Sequence, residues 1–292
     1  MCDASAAVAL DADHFVVAND ERNTLRIYKR GQPDPVKSVE LSTFLGTNEK
    51  KESDLEGAAR IGTRVYWISS HGRNKDGELQ ERRRRFFATE ITSAAGIPTV
   101  SPVGNAPYKE LLTDLVAAQQ LAVYDLAKAS EKAPEAAGGL NIEGLAAMPD
   151  GKLLIGFRNP IPGNKALIVP LENPDDVVAG KKARFGNPIE IDLGGRGIRS
   201  IEYVGNSYFV VGGPVADSGT FKLYRWPGPP SDKANEVQGI DFDKLRPEAI
   251  FAIPQTNKLQ VLSDDGGEPV GNKDCKDEAE SKQSFRSMTI TP

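Results

Sequence analysis

The sequence predicts an all-β fold, a single five-bladed β-propeller with one helical insertion, and three observations carry that expectation. One motif recurs five times along the chain. The recurrences stand about 50 residues apart, near the ~40–50 of a propeller blade. Between them lie short apolar runs broken by Gly, Asn and Asp turns, without the helix after each strand that a parallel α/β sheet needs.

Each recurrence is a polar lead-in, an apolar strand, a tight turn, a second apolar strand and a polar exit. The first runs from Asp3-Ala-Ser-Ala-Ala-Val8 through Asp11–Asp13 to His14–Ala18 and Asn19-Asp20. The second is Asp54-Leu-Glu-Gly-Ala-Ala59, Gly62-Thr63, Val65–Ile68 and Ser69–Arg73. The third is Asn141–Ala146, Pro149–Gly151, Leu153–Ile155 and Gly156–Asn159. The fourth is Ile198–Val204, Gly205-Asn206, Tyr208–Val211 and Gly212–Pro214. The fifth is Arg246–Phe251, Gln255–Asn257, Leu259–Leu262 and Ser263–Gly266. Aligned on the turn, Ser5, Glu56, Glu143, Arg199 and Glu248 become equivalent. Outer strands are expected at Thr24–Arg30, Arg83–Ile91, Lys165–Pro170, Thr220–Trp226 and Ser284–Thr291. A six-bladed ring with one divergent blade is the alternative.

The interval between the second and third recurrences is widened by a helical insertion at about 106–130. Leu111, Leu115, Ala118, Ala122 and Leu126 follow helical spacing in an Ala/Leu/Gln/Lys-rich stretch. Pro107 suits a first turn, and Gly138-Gly139 ends the segment. This helix is expected to pack its stripe on the outside of the ring and rejoin the chain just before Asn141.

Composition narrows the function classes. The chain has 292 residues, Lys+Arg 36 against Asp+Glu 41, and a net charge of -5. Its 39% apolar content is too high for disorder. No apolar run approaches the ~18–20 residues of a membrane span, so no membrane partner is expected. Nor is there a basic stripe, which disfavours nucleic acid; the Arg82–Arg85 run reads as a solvated strand edge. Cys2 and Cys275 exclude a disulfide scaffold or Cys-rich zinc site; one bridge between them is conceivable, but two free thiols are the expectation. Met1 leads into the first motif without a basic, apolar leader, so the chain reads as cytoplasmic.

Propeller geometry places the polar residues. The start of the innermost strand and the end of the second share one face of the disc. Asp54, Glu56, Glu143, Arg199, Arg246 and Glu248 therefore join His71, Arg73, Arg158, Asn159 and Asp264 on that face. One reading is structural, with acids and guanidinium groups pairing around a wet channel to hold the blades together. The functional reading assigns His71, Glu56 and Glu143 to catalysis. It gives an anion to Arg73, Arg158, Asn159, Arg199 and Arg246, whose arginines fork onto phosphate or carboxylate. Asp54, Glu56, Glu143, Glu248 and Asp264 are the candidate ligands for Ca2+ or another divalent cation, a hard ion taking ~6–8 oxygens. No nucleophile elbow, phosphate loop, dinucleotide glycine pattern or two-His zinc spacing occurs.

Asp54-Leu-Glu-Gly57, Ser70-His-Gly-Arg-Asn-Lys-Asp-Gly77, Asn141-Ile-Glu-Gly-Leu-Ala146, Gly156-Phe-Arg-Asn-Pro160 and Gly194-Gly-Arg-Gly-Ile-Arg-Ser200 together resemble the uncharacterised bacterial family DUF3616. The resemblance runs from Asp3 to Gly266 and implies a propeller-like fold without an established activity. More distantly, the repeated Asp/Asn-x-Glu-Gly lead-in is similar to that of esterase-like phytase propellers, which hints at hydrolysis of a phosphorylated or ester substrate. The functional expectation is a propeller whose polar face binds, and hydrolyses, a small anionic molecule with a divalent cation. The alternative is a non-catalytic scaffold that docks a protein partner on its rim or insertion.

Overall fold

Five antiparallel sheets follow one another along the chain, each beginning with its innermost strand. The structure, a computed structural model, describes residues 1–94, 96–216 and 218–292. Blade one holds β1 (Ala6–Ala9), β2 (His14–Ala18), β3 (Thr24–Lys29) and β4 (Pro35–Glu40). Blade two holds β5 (Leu55–Ile61), β6 (Arg64–Ser69), β7 (Phe86–Ala94) and β8 (Ile97–Pro102). Blade three holds β9 (Asn141–Ala147), β10 (Leu153–Asn159), β11 (Ala166–Leu171) and β12 (Ile189–Ile191). Blade four holds β13 (Gly197–Val204), β14 (Ser207–Gly213), β15 (Lys222–Trp226) and β16 (Asn235–Glu236). Blade five holds β17 (Pro247–Ala252), β18 (Leu259–Ser263) and the late strand β21 (Ser287–Ile290). A small hairpin of β19 (Pro269–Val270) and β20 (Lys273–Asp274) projects between the last two. The five-bladed ring is therefore the fold, and the six-bladed alternative falls.

The core is divided among the blade junctions, because each sheet can hide its apolar side chains only against a neighbour. Trp67 and Val65 of blade two meet Leu25 and Ile27 of blade one in a single buried cluster. Tyr208 and Trp226 of blade four likewise meet Ile168 and Leu154 of blade three. The first and last blades close on each other through Ala7, Phe15, Phe251 and Leu262. No strand is shared across that seam. Instead Asp3 bridges Asp264, the Asp265 N–H donates to the Cys2 carbonyl at 3.0 Å, and Cys2 is bonded to Cys275.

That disulfide corrects the free-thiol expectation. Sequence separation hid the pair, since the ring brings together residues 273 positions apart. No described helix is long and apolar enough to cross a membrane.

The insertion differs from the single helix expected. Helix Leu111–Ala117 ends at Ala118, whose backbone is extended; a 3-10 stretch Gln119–Tyr124 and helix Leu126–Ala129 follow, with Asp125 left-handed between them. The break brings Leu121 beside Leu115 and Leu126 in the buried cluster that joins blades two and three, whereas a continuous helix would keep Leu115 and Leu126 on one face and turn Leu121 roughly 120° away. Of the expected stripe, Leu111, Leu115 and Leu126 are buried against blades two and three with Ala118 beside them, while Ala122 is exposed. The Arg82–Arg85 run also departs from expectation: it forms a 3-10 turn before β7, and Arg85 is buried with its Nε donating to the Leu45 carbonyl at 2.8 Å.

Candidate functional site

The innermost strands aim four residues at the ring axis by the same device. In β5, β9, β13 and β17 the pairing register slips at Glu56, Glu143, Arg199 and Glu248, each the extra residue of a β-bulge against the neighbouring strand. A bulge re-aims a side chain out of the sheet's alternation. The equivalence read from the turns is thus an equivalence of backbone geometry. The glycine after the glutamate has a separate cause: a Cβ on Gly144 would stand 2.8 Å from Ile198 Cγ2 and 3.0 Å from Gly156 Cα, so blades three and four leave room for hydrogen alone.

The aimed residues surround a funnel of about 420 Å³ whose lining, apart from Gly267, consists entirely of ionisable side chains. Arg158 Nη1 donates to Glu143 Oε1 at 3.0 Å, and Asn141 Nδ2 donates to the same oxygen at 2.9 Å. Arg199 Nε lies 2.9 Å from Glu143 Oε2, and its Nη2 pairs with Glu248 from the next blade. Burial alone would depress the Arg199 guanidinium, yet Glu143 and Glu248 hold it charged, above its ordinary range. Arg246 lies at the wall, half-exposed, 3.6 Å from Glu268. Lys276 reaches in from the loop after β20 and pairs with Glu21 at 2.7 Å.

The acids here are poorly compensated. Burial pushes Glu248 up to about 8, with Asp264 and Glu143 adding to it against the pull of Arg199. Glu56 is held well above the usual carboxylate range by burial and then by Asp54, Glu143, Glu248 and Asp20. Asp20 is raised in the same way, chiefly by burial and Asp264. Among the described residues neither Glu56 nor Asp20 has an ion-pair or hydrogen-bond partner. Both therefore hold their protons more tightly than an ordinary carboxyl group.

A second cavity of about 430 Å³ opens beside the funnel and shares Glu56, Arg158 and Lys276 with it. Its far wall is the loop after the insertion, through Pro134 and Glu135. That loop is tied down by Asn159 Nδ2, which donates to the Pro134 and Ala136 carbonyls at 2.8 Å each, and by Arg158 Nη2 to Glu135 at 3.2 Å. Asp54 lines this cavity too, held by Arg83 at 2.9 Å and by the Ser70 hydroxyl.

The structure brings together Glu56, Glu143, Arg158, Arg199, Arg246, Glu248 and Asp264 in the funnel, with Asp54 next door. It does not bring in His71, Arg73 or Asn159. His71 is 1% exposed and lines neither cavity; its Nδ1–H donates to the Ser69 carbonyl at 2.8 Å, and burial pushes it down to about 4. A neutral, enclosed imidazole is no acid–base for a ligand in the funnel. Arg73 spends its Nε on the Ser130 carbonyl at 2.9 Å and its Nη1 on Gly77 at 3.0 Å, and so anchors the insertion. Asn159 is likewise an anchor. The acids offered for a divalent cation are separated by the arginines between them, and among the described residues no three His, Cys, Asp or Glu side chains converge as a metal site.

Sequence reasoning missed Asp20, Arg83 and Lys276 as site residues. Asp20 was visible as the exit of the first recurrence. Arg83 lay hidden in an arginine run, and Lys276 in what reads as a charged surface loop; the Cys2–Cys275 bond, one residue away, holds that loop at the ring axis together with the Cys275 and Lys276 N–H groups, which donate to the Glu268 and Gly266 carbonyls.

No curated protein matches the chain. Among solved structures it is similar to glutaminyl cyclase of Myxococcus xanthus, with TM-score 0.46 and 12% identity over 89% of this chain and 85% of that one. It is similar also to a putative oxidoreductase (glucose dehydrogenase) of Thermus thermophilus, with TM-score 0.49 and 12% identity over 99% and 96%. An engineered GH43 glycoside hydrolase matches with TM-score 0.45 and 12% identity over 91% of this chain and 48% of that one. No role is carried over from any of them. The family model of DUF3616, a protein family of unknown function, matches residues 3–96 and 99–277, and the chain belongs to that family.

Proposed function

We propose that this propeller binds a small anionic molecule in its central funnel and hydrolyses it there as a phosphate or carboxylate ester. One observation carries the reading: Arg158, Arg199, Arg246 and Lys276, delivered by three blades, stand around one cavity with Glu56, a carboxyl without a partner among the described residues that burial and its acidic neighbours push above the usual carboxylate range. The cations neutralise the bound anion and the charge that develops as its ester bond breaks. Glu56 gives its proton to the departing oxygen and recovers one from the attacking water, so a single residue serves as acid and base. Glu143, oriented by Asn141 and Arg158, keeps the two buried guanidinium groups in place. Glu56 takes the acid–base part expected of His71.

The docking alternative drew on an apolar face of the insertion. Its leucines are buried, and Val116 and Val123 are the exposed apolar side chains there, which favours the funnel.

The test is the thermal unfolding midpoint of the purified chain against inorganic phosphate and phosphorylated or esterified small molecules, with divalent cations and with chelator. A ligand at a hundredfold excess over Kd adds ~2.7 kcal/mol of stability. The expected result is a rise that Arg246→Ala diminishes, with turnover lost and binding kept in Glu56→Gln. No rise with any anion sinks the reading; turnover surviving in Glu56→Gln removes that residue from the chemistry.

A further inference from the structure

The funnel and the cavity beside it differ in what they offer a ligand. The funnel is lined by acids and cations alone, Gly267 aside. The second cavity adds Ser70, Asn74 and Asn141, neutral groups that donate and accept hydrogen bonds. Its cations are engaged by neighbouring acids: Arg83 by Glu52 and Asp54, Arg158 by Glu143 and Glu135, Lys276 by Glu21. The two cations that the funnel does not share are freer: among the described residues Arg246 is paired only with Glu268, at 3.6 Å, and Arg199, 5% exposed, keeps Nη1 without a hydrogen-bond partner.

The second cavity has its own unsatisfied group. Asn141 is 5% exposed, and its amide orientation is fixed because Glu143 only accepts, so Nδ2 must face it. Oδ1 is then left without a donor. A buried polar atom without a partner is a cost that the fold retains for a reason. The funnel wall thus keeps a cationic donor on Arg199 and an acceptor on Asp20 without hydrogen-bond partners, and the wall of its neighbour keeps a neutral acceptor on Asn141.

We propose that the two cavities are one bipartite site for a polyhydroxylated molecule bearing a single phosphate or carboxylate, its anion in the funnel beside Arg199 and Arg246 and its hydroxyls beside Asn141, Ser70 and Asn74. Glu56, Arg158 and Lys276 are common to both walls and stand where the two parts of the ligand join. This rests on the anion-binding reading of the funnel and adds the substrate class. The insertion acquires a role as well: its terminal loop, through Pro134 and Glu135, is the wall that limits the size of the hydroxylated part.

The experiment measures apparent affinity by thermal unfolding for two sets of probes on the full chain. One set is inorganic phosphate, acetate, glucose and glycerol. The other is glucose 6-phosphate, ribose 5-phosphate, glycerol 3-phosphate, gluconate and glucuronate. The expected result is that at least one conjugate binds tenfold or more tightly than its isolated anion, while the neutral polyols alone shift nothing. Whether phosphorylated or carboxylated conjugates respond identifies the anion. Lys75→Trp, at an exposed position in the wall of the second cavity, should erase the tenfold gain and leave phosphate or acetate binding as it was. Asn141→Ala should act in the same direction. If phosphate or acetate binds and no conjugate exceeds it, the bipartite site is wrong and the funnel reading stands. A gain that survives Lys75→Trp unchanged also overturns it. If no anion binds at all, both readings fail.

Discussion

Arg158 donates to Glu143 at 3.0 Å inside the third blade, and neither residue is more than a tenth exposed. The pair is the inner end of a chain of charges that continues through Arg199 to Glu248 and so crosses three blades. Such a chain is held together by geometry, since each charge is costly to bury alone.

The first prediction concerns that chain. Arg199→Ala leaves Glu143 without one of its guanidinium partners and Glu248 with none. Removing one member of a buried pair costs about 3–5 kcal/mol. Urea unfolding should show a loss of that order, while Lys222→Ala, which breaks the half-exposed pair with Glu236, costs under ~1 kcal/mol. Equal losses for the two variants would mean that the funnel charges are hydrated and independent.

A second prediction follows from the seam. Cys2 and Cys275 link the two ends of the chain, and the bond constrains the unfolded ensemble over a separation of 273 residues. Cys2→Ala with Cys275→Ala should lower stability by about 2–5 kcal/mol. The same double variant should weaken anion binding, because Lys276 is carried by the loop that the bond fixes. Unchanged unfolding in the presence and absence of reductant would count against the bridge.

The third prediction tests the close approach of blades three and four. Gly144→Ala puts a methyl 2.8 Å from Ile198 Cγ2 and 3.0 Å from the Gly156 backbone. Overpacking of this kind costs about 1–3 kcal/mol. Gly62→Ala, at a left-handed turn with open space around it, carries the backbone penalty alone, so the two losses have different causes. Relief of the Gly144→Ala loss by Ile198→Val would identify the clash as the source.

The blades were legible because the recurrence repeats a turn and two apolar strands, and those signals are local. Glu56, Glu143, Arg199 and Glu248 could be aligned for the same reason. What the alignment could not convey is the bulge that aims them, since a register slip is a property of two strands together. His71 was misread because its neighbours Ser70 and Arg73 sit on the polar face while its own φ of 57° turns the ring into the interior. Lys276 and the Cys2–Cys275 bond are long-range facts of ring closure. No window of sequence contains both of their partners. The outer strand β8 and the short helix Pro174–Val178 were missed where apolar spacing is weak and tertiary packing decides.

The last prediction is a pH dependence. Burial raises Glu202 to about 7 from an ordinary 4.5, although the Ala252 N–H donates to it at 3.3 Å. The folded chain then holds this proton more tightly than the unfolded one, so folding is favoured below pH ~4.5 and loses that contribution as pH climbs through 7. Asp3, pushed to about 6, acts in the same direction. The Glu202 contribution should therefore decline from pH 5 to pH 8, while His71, held down to about 4, and the buried N-terminal amine, lowered to about 6, act in the opposite direction, so the difference between variant and parent isolates Glu202. Glu202→Gln keeps an oxygen to accept from Ala252 and removes the ionisation. Its unfolding midpoint should match the parent near pH 5 and exceed it at pH 8 by about 2 °C or more, the shift expected from ~1 kcal/mol in a chain of this size. A gap that is the same at both pH values would show that the carboxyl ionises freely in the folded state.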